Sequence, residues 1–188
     1  MHCSSAYVIL KFITILTIQE VSMLIFSLDT KKCMNKLLLQ STFDSFLFIE
    51  GEITTFNTFH IDGRLKKEFF RQDEEASASV MEREYSLWKD VREYCFSLIK
   101  GRRTPLGFKL VFSLSAPNIE RLLAQEDIPF TLSDVQGLYL NFKYNGTVLT
   151  CTTGTSMHTF TMDKSLEQAW DKMVQKFLTK HEIPYEGI

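Results

Sequence analysis

Apolar residues recur with two different periods along this chain, and each period predicts a type of element. Segments with apolar residues at every second position, or in a run bounded by turn signals, favour a β-strand, whereas recurrence every third or fourth position favours a helix. The predicted strands are residues 23–28, 45–61 (two strands with Glu50-Gly51 as a turn or bulge), 108–114 and 137–153 (a hairpin). The predicted helices are residues 30–40, 62–70, 87–100, the segment that follows Ser115, and 164–181.

Short polar side chains and glycines mark where these elements begin and end. Asp29 and Asp62 precede helical segments and are expected to be N-caps, because a carboxylate accepts the free backbone N–H groups of a first helical turn. Gly101 is expected to end the helix over 87–100 in a left-handed conformation. Asn145-Gly146 is expected to form a type I′ turn, in which both residues have positive φ.

Two segments of the sequence occur twice, in the same order. The segment "LIFSLD" at 24–29 matches "LVFSLS" at 110–115, and "ITTFNTFHIDGRL" at 53–65 matches "GTSMHTFTMDKSL" at 154–166. Both copies follow the order strand, helix, strand, strand, helix, which indicates a duplication of residues 24–70 and 110–170. Because each half is too small to bury an apolar sheet face by itself, we predict an α+β fold. In this fold two pseudo-symmetric halves form a mixed or antiparallel sheet covered by helices.

The composition is that of a folded globular protein with a near-neutral charge. The chain has 188 residues, of which 45% are hydrophobic, and a net charge of −2. We therefore expect residues 23–188 to form a single domain. The charge balance argues against attachment of the whole chain to nucleic acid or anionic lipid, although a local patch stays possible. No membrane partner is expected for residues 23–188.

The four cysteines, Cys3, Cys33, Cys95 and Cys151, form no CxxC pair and do not cluster with histidines. This spacing predicts free, buried thiols in a reducing compartment, the cytoplasm, rather than a structural zinc site. No phosphate-binding glycine loop, nucleophile elbow or metal-ligand helix is present, so no cofactor is expected.

The first 22 residues are expected to form an extension outside the domain. The run "AYVILKFITILTI" at 6–18 is apolar, but it is shorter than the roughly 20 residues that span a bilayer, and Lys11 interrupts it. Met23 offers another start. The extension is therefore a wrongly assigned start, an additional strand or helix, or a targeting or anchoring segment.

Basic residues concentrate in "RLKKEFFR" at 64–71 and "KGRRTP" at 100–105. Cations beside aromatic side chains bind the phosphates and stacked bases of single-stranded nucleic acid. Basic surface loops are also common, and the acidic segment 73–84 carries charges that neutralise them. The candidate anion- or nucleic-acid-binding residues are Arg64, Lys66, Lys67, Lys100, Arg102 and Arg103.

Two aspartates and two histidines are the candidates for catalysis. Asp62 and Asp163 occupy the same place in the repeat, but Asp-x-x-Leu before an apolar helix is typical of an N-cap. His158 aligns with Asn57 and not with His60, so a symmetric histidine pair is not expected. No catalytic residue is therefore assigned, and an enzyme of unknown reaction is only the third hypothesis.

The segments "TTFNTFHIDGRL", "YSLWKDVREYCFSLIKGRRTP" and "LTCTTGTS…DKSLEQAWDKMVQKFL" resemble an uncharacterised bacterial family of unknown function, over about residues 23–188. This resemblance implies a bacterial, cytoplasmic protein and supplies no activity, cofactor or functional residue. The element order is also similar to that of DNA sliding clamps, whose domains pair two strand–helix–strands units and line DNA with basic helices. Lys31, Lys32 and Lys36 fit that pattern, whereas the repeat partner of their helix has only Arg121, set against Glu120.

From these observations we predict a non-catalytic intracellular binding or regulatory module whose partner is a protein or a small ligand. Nucleic-acid binding with a sliding-clamp-like fold is the alternative.

Overall fold

The computed structural model describes residues 24–70, 80 and 82–187. The strands of these residues form one sheet in which every neighbouring pair is antiparallel. In chain order they are β1 (Ile25–Leu28), β2 (Leu47–Thr54), β3 (Thr58–Asp62), β4 (Gly107–Ser113), β5 (Val135–Tyr144), β6 (Leu149–Met157) and β7 (Tyr185–Gly187). Their order across the sheet is β3-β2-β4-β5-β6-β1-β7, so β3 and β7 are the edges.

Four α-helices with clear bounds accompany the sheet within the described residues. They are α1 (Thr30–Leu38), α2 (Trp88–Ile99), α3 (Ala116–Gln125) and α4 (Ser165–Lys180). Short 3-10 turns lie at Ser41–Phe43, Lys67–Phe70 and Leu132–Asp134. These elements confirm the predicted α+β class, with an antiparallel sheet covered by helices.

The helices cover one face of the sheet, because the alternation of side chains along each strand places large apolar groups on that face. Leu110 lies opposite Phe142 and Phe112 opposite Leu140 in β4 and β5, and all four side chains are buried. Phe43, in the turn after α1, packs on this layer, with ring centroids 6.2 Å from Phe112 and 5.3 Å from Phe142. The buried side chains of α1–α4 belong to the same hydrophobic cluster.

The opposite face of the sheet carries polar side chains, and none of α1–α4 contributes to a core on that side. In register, Lys109 lies opposite Lys143, and Asn141 lies opposite Thr152. An antiparallel sheet accommodates one solvated face of this kind. We refer to it as the helix-free face, meaning only that none of α1–α4 packs on it.

Several local predictions are confirmed. The Asp29 carboxylate accepts a hydrogen bond from the Lys32 backbone N–H at 2.8 Å and so caps α1. β5 and β6 form the predicted hairpin, paired from Val135 to Tyr144 on the first strand. The pairing of β2 with β4 shifts register between Phe48 and Glu50, so a bulge does lie near Glu50-Gly51. The prediction that it separates two strands is wrong, because β2 continues to Thr54 and the turn to β3 falls at residues 55–57.

The prediction that Asp62 caps a helix is wrong. Asp62 instead accepts from the Arg64 backbone N–H at 2.9 Å, and only a short 3-10 turn follows at Lys67–Phe70. The physical reason is that neighbouring N–H groups are already used. Gly63 donates to the Ile49 carbonyl at 2.9 Å, and Leu65 donates to a carbonyl of the segment before α2, also at 2.9 Å. These bonds hold the chain extended beside β2.

Two turn predictions are also wrong. α2 ends at Ile99 because Lys100 turns directly into an extended conformation (φ −68°, ψ 117°), and Gly146 is the one described glycine with positive φ (94°). Asn145 does not have positive φ. Its side-chain oxygen instead accepts from the backbone N–H groups of Thr147 and Val148 at 3.1 and 2.9 Å, which stabilises a four-residue turn.

The internal repeat of residues 24–70 and 110–170 stays a prediction. β4 pairs with β5 of its own half and with β2, whereas β1 pairs with β6 and β7 and does not touch the β2–β3 hairpin. The first strands of the two proposed halves therefore have different neighbours.

Some earlier predictions fall on residues that the structure does not describe. The proposed extension, residues 1–22, and much of the acidic segment 73–84 lie outside the described residues. Cys33, Cys95 and Cys151 are free and buried, as predicted. No helix of the described residues is long and apolar enough to cross a membrane.

Candidate binding surfaces

A groove with a volume of about 370 Å³ lies on the helix-free face, over β3, β2 and β4. Strand alternation and register bring its polar side chains together. Glu50 lies opposite Asp62, and Glu52 lies between His60 on β3 and Lys109 on β4. The remaining lining residues include Arg64 and Tyr85 beyond the end of β3.

Exposed basic and acidic side chains lie in contact in this groove, and the Lys109–Glu50 contact is an ion pair. Lys109 Nζ lies 2.8 Å from Glu50 Oε1, and His60 Nδ1 lies 3.4 Å from Glu52 Oε2. Hydrogen bonds from the Arg64 backbone N–H and then from Lys66 lower the pKa of Asp62, which keeps this carboxylate ionised. Exposed pairs of this kind contribute only about 0–1 kcal/mol each to stability. A cationic partner can therefore replace the internal cations at small cost.

The four candidates for catalysis do not form one site. His60 and Asp62 line the groove, whereas His158 and Asp163 lie between β6 and α4, where Asp163 accepts from the Ser165 N–H at 2.8 Å. The sheet order places β2, β4 and β5 between β3 and β6, a distance of about 19 Å at the usual strand spacing. His60 is 72% exposed to solvent. An enzyme that uses these residues stays the third hypothesis.

No group of three or more His, Cys, Asp or Glu side chains within residues 24–70, 80 and 82–187 is placed to hold a metal ion.

The structure separates the six predicted basic residues into two groups at opposite ends of β2. The Gly63 N–H bonds the Ile49 carbonyl, and the Leu106 N–H bonds the Thr54 carbonyl, each at 2.9 Å. Ile49 and Thr54 are five residue steps apart along the extended strand, a distance of about 17 Å. Arg64, Lys66 and Lys67 therefore lie near one end of β2, and Lys100, Arg102 and Arg103 near the other.

The two groups also differ in their ion pairs. Arg64 lies 3.0 Å from Glu84, and Lys66 lies 3.0 Å from Asp62. Lys100 lies over the Phe96 ring at 5.7 Å, and neither Arg102 nor Arg103 has an ion pair within the described residues. Within the described residues, the second group and Lys67 are therefore available to an external anion without breaking an internal ion pair.

A second basic surface follows one side of α1. Lys31, Lys32, Asn35 and Lys36 line a shallow cavity of about 640 Å³ together with Glu182. Burial, followed by the positive charges of Lys180 and Lys36, lowers the pKa of His181, which shows that cations of α1 and α4 act on the same region. The sequence reveals these lysines, but it does not place the end of α4 beside α1.

The groove residues Glu50, Glu52, Lys109 and Tyr85 were not among the sequence candidates. The alternating acids of "IEGEI" give a local signal, since both must share one face of a strand. Their proximity to Lys109, 57 residues beyond Glu52, follows only from the strand pairing.

The fold and these surfaces define an α+β protein with one helical layer and an open antiparallel sheet face. Residues 36–186 match the family described as "Family of unknown function (DUF5721)", and the chain belongs to that family. This confirms the resemblance to an uncharacterised family. No curated protein and no solved structure gives a significant match.

Proposed function

We propose that the protein is a non-catalytic binding module that recognises an extended, basic segment of a partner protein at β3 and the adjacent groove. The observation that carries this proposal is the position of three groove carboxylates, Glu50, Glu52 and Asp62, beside an edge strand of the sheet. An exposed sheet edge offers backbone groups to an added strand, and neighbouring side chains select its sequence.

The side chains on the two faces of β3 indicate which residues a segment bound beside it would contain. Phe59 and Ile61 are half-buried and face the helical layer, whereas Thr58, His60 and Asp62 are exposed. A strand added beside β3 has the same alternation. Its apolar side chains would contact Phe59 and Ile61, and its basic side chains would reach the carboxylates of Glu52 and Asp62. Charge complementarity therefore favours alternating apolar and basic residues.

Fluorescence anisotropy tests this proposal with two labelled peptides, one of alternating Val and Lys and one of alternating Val and Glu. The Val/Lys peptide is expected to bind, and Glu52→Gln with Asp62→Asn is expected to weaken binding several-fold to about tenfold, since each of the two exposed ion pairs lost contributes up to about 1 kcal/mol. The matched control is Glu120→Gln with Asp127→Asn, which removes the same charge from exposed positions outside the groove. Equal affinity of the groove variant and this control would reject the groove as the site.

The proposed location is the cytoplasm of a bacterium. Three free, buried thiols support a reducing compartment, and the family resemblance supports the bacterial origin. Gel filtration of the purified chain with and without a reductant tests the compartment. A disulfide-linked product required for folding would contradict it.

Nucleic-acid binding is the second candidate function, and Lys100, Arg102 and Arg103, which form no ion pair with the described residues, favour it. Binding of a single-stranded oligonucleotide in a gel shift is expected to weaken steeply as salt rises. Charge reversal of Arg102 and Arg103 is then expected to abolish the shift. Unchanged binding would exclude this cluster.

A further inference from the structure

Three exposed apolar side chains lie in a row at one end of the sheet, which we call the loop end. It comprises residues 55–57, 100–106 and 145–148, which precede β3, β4 and β6. Phe56, Leu106 and Val148 are 87%, 69% and 43% exposed. The Leu106 N–H bonds the Thr54 carbonyl, and a Cβ on Gly146 would lie 3.1 Å from the Leu106 carbonyl oxygen, so the three connections are immediate neighbours.

The charge of the loop end is positive. Its three connections contain no Asp or Glu, and one of them carries Lys100, Arg102 and Arg103. The whole chain nevertheless has a net charge of −2. Positive charge is therefore concentrated at this end and is not evident from the net charge of the whole chain.

The helical layer adds more cations at the same end. β1 ends with Leu28 opposite Leu149, so α1 begins beside the β5–β6 turn. The Trp88 indole bonds the Leu37 carbonyl, so the end of α1 lies beside the start of α2. α2 ends at Ile99, directly before the 100–106 connection, so the first turn of α1 and the last turn of α2 both lie toward this end of the sheet. The Asp29 N–H bonds the Pro184 carbonyl, which places the residues after α4 there as well.

Five cations lie at this end: Lys31 and Lys32 in the first turn of α1, and Lys100, Arg102 and Arg103 in the 100–106 connection. The first turn of α1 contains no acid, although the positive end of the helix dipole favours acids over lysines there. No ion pair within the described residues neutralises Lys31 or Lys32. Asp29, the N-cap of α1, and Glu182, which lines the same cavity as Lys31 and Lys32, are acids beside these cations, and the cations outnumber them within the described residues.

We propose that the loop end docks on an anionic lipid surface. Phe56, Leu106 and Val148 enter the headgroup region and leave water, while the surrounding cations contact headgroup phosphates. Exposed apolar side chains flanked by lysines and arginines are the pattern that binds peripheral proteins to anionic membranes. Nucleic acid fits less well. Its phosphates would contact the cations and its bases would stack on the Phe56 ring, but it offers no apolar environment for the aliphatic side chains of Leu106 and Val148.

Cosedimentation of the full chain with lipid vesicles tests this assignment. Binding is expected to vesicles of phosphatidylcholine with 30% phosphatidylserine, but not to phosphatidylcholine alone, and it is expected to weaken at high salt. Arg102→Gln with Arg103→Gln is expected to lower the affinity about 30-fold, from about 1 kcal/mol for each cation near the surface. Arg121→Gln with Lys164→Gln makes the same change of charge away from the loop end and is expected to have little effect.

A second pair of variants separates the apolar contribution from the charge. Phe56→Ser is expected to weaken vesicle binding severalfold, because a buried aromatic ring contributes to interfacial affinity. Phe160→Ser changes an equally exposed ring in the connection between β6 and α4 and is the control. Circular dichroism confirms that each variant is folded.

Three results would overturn the proposal: no binding to the anionic vesicles by the folded chain, the same loss in each variant and its control, or Phe56→Ser without effect while an oligonucleotide displaces the vesicles completely. The last result assigns the loop end to nucleic acid. The groove variants Glu52→Gln and Asp62→Asn are expected to bind vesicles normally, so the two proposals fail independently.

Discussion

Replacement of Trp88 by Phe tests how α1 and α2 are held together. The Trp88 side chain is fully buried, and its indole Nε1–H donates to the Leu37 carbonyl at 2.8 Å. Leu37 lies in the last turn of α1, where carbonyl groups have no partner within the helix. The indole therefore satisfies a buried acceptor that would otherwise lack a hydrogen bond.

The expected loss of stability has two parts. A buried carbonyl without its partner costs about 1–3 kcal/mol. Phe retains one ring but leaves a void beside Phe48 and Phe112, whose ring centroids lie 5.4 and 4.9 Å from that of Trp88, and this lost packing costs about 1 kcal/mol more. The total of about 2–4 kcal/mol is a large fraction of the 5–15 kcal/mol typical of a folded protein.

Urea unfolding followed by far-UV circular dichroism measures this loss, because the variant also removes one of the two tryptophans that fluorescence would report. With a slope of about 2 kcal/mol per molar urea, the midpoint is expected to fall by about 1–2 M. Trp170→Phe is the matched control. It removes the same atoms, but its indole bond to the Tyr139 carbonyl is longer, 3.2 Å, and the acceptor lies in the interior strand β5. A loss in Trp88→Phe no larger than that in Trp170→Phe would refute the role of the Leu37 carbonyl.

Three further predictions follow from buried groups. Gly63→Ala is expected to lower the free energy of unfolding by about 3 kcal/mol or more, because the new Cβ would lie 1.9 Å from the Phe48 carbonyl oxygen. The urea midpoint is expected to fall by more than for any surface change, and a stable Gly63→Ala variant would contradict this close approach. Burial raises the pKa of the Cys33 and Cys95 thiols to about 12, so both are expected to resist a thiol reagent at pH 8 until urea unfolds the chain, and rapid labelling of the native protein would argue against their burial. Burial also raises the pKa of Asp171, so the native state binds the proton of this carboxyl group more tightly than the unfolded state does. The stability that the protonated carboxyl group contributes at low pH is therefore lost as the pH rises through the folded pKa. Asp171→Asn is therefore expected to raise the melting temperature at pH 7 but not at pH 3, and an equal effect at both values would exclude this cause.

Local signals predicted the elements that depend on local interactions. Asp29 caps α1 because its carboxylate reaches the N–H group only three residues ahead. The β5–β6 hairpin forms around a short turn. The signals failed where a remote segment competed for the same backbone groups. The Gly63 N–H is used by Ile49 of the adjacent strand, and this removes the helix that Asp62 predicted.

The candidate surfaces were less predictable than the fold class. The sequence identified Lys100, Arg102 and Arg103 as exposed cations, but it joined them to Arg64 and Lys66 at the opposite end of β2. It also gave no sign that Phe56 and Val148, which are far apart in the chain, lie in one row.

The sequence by itself determined most of the strands and helices and which face of each is apolar, because periodicity and caps act over a few residues. The segment after Asp62 is the exception. Only the tertiary structure decided that β4 lies between β2 and β5, that Glu50 meets Lys109, and that three separate turns form one end of the sheet. Strand order and register depend on contacts between segments far apart in the chain. The packing of all the apolar faces together selects among those contacts, and no local pattern contains that information.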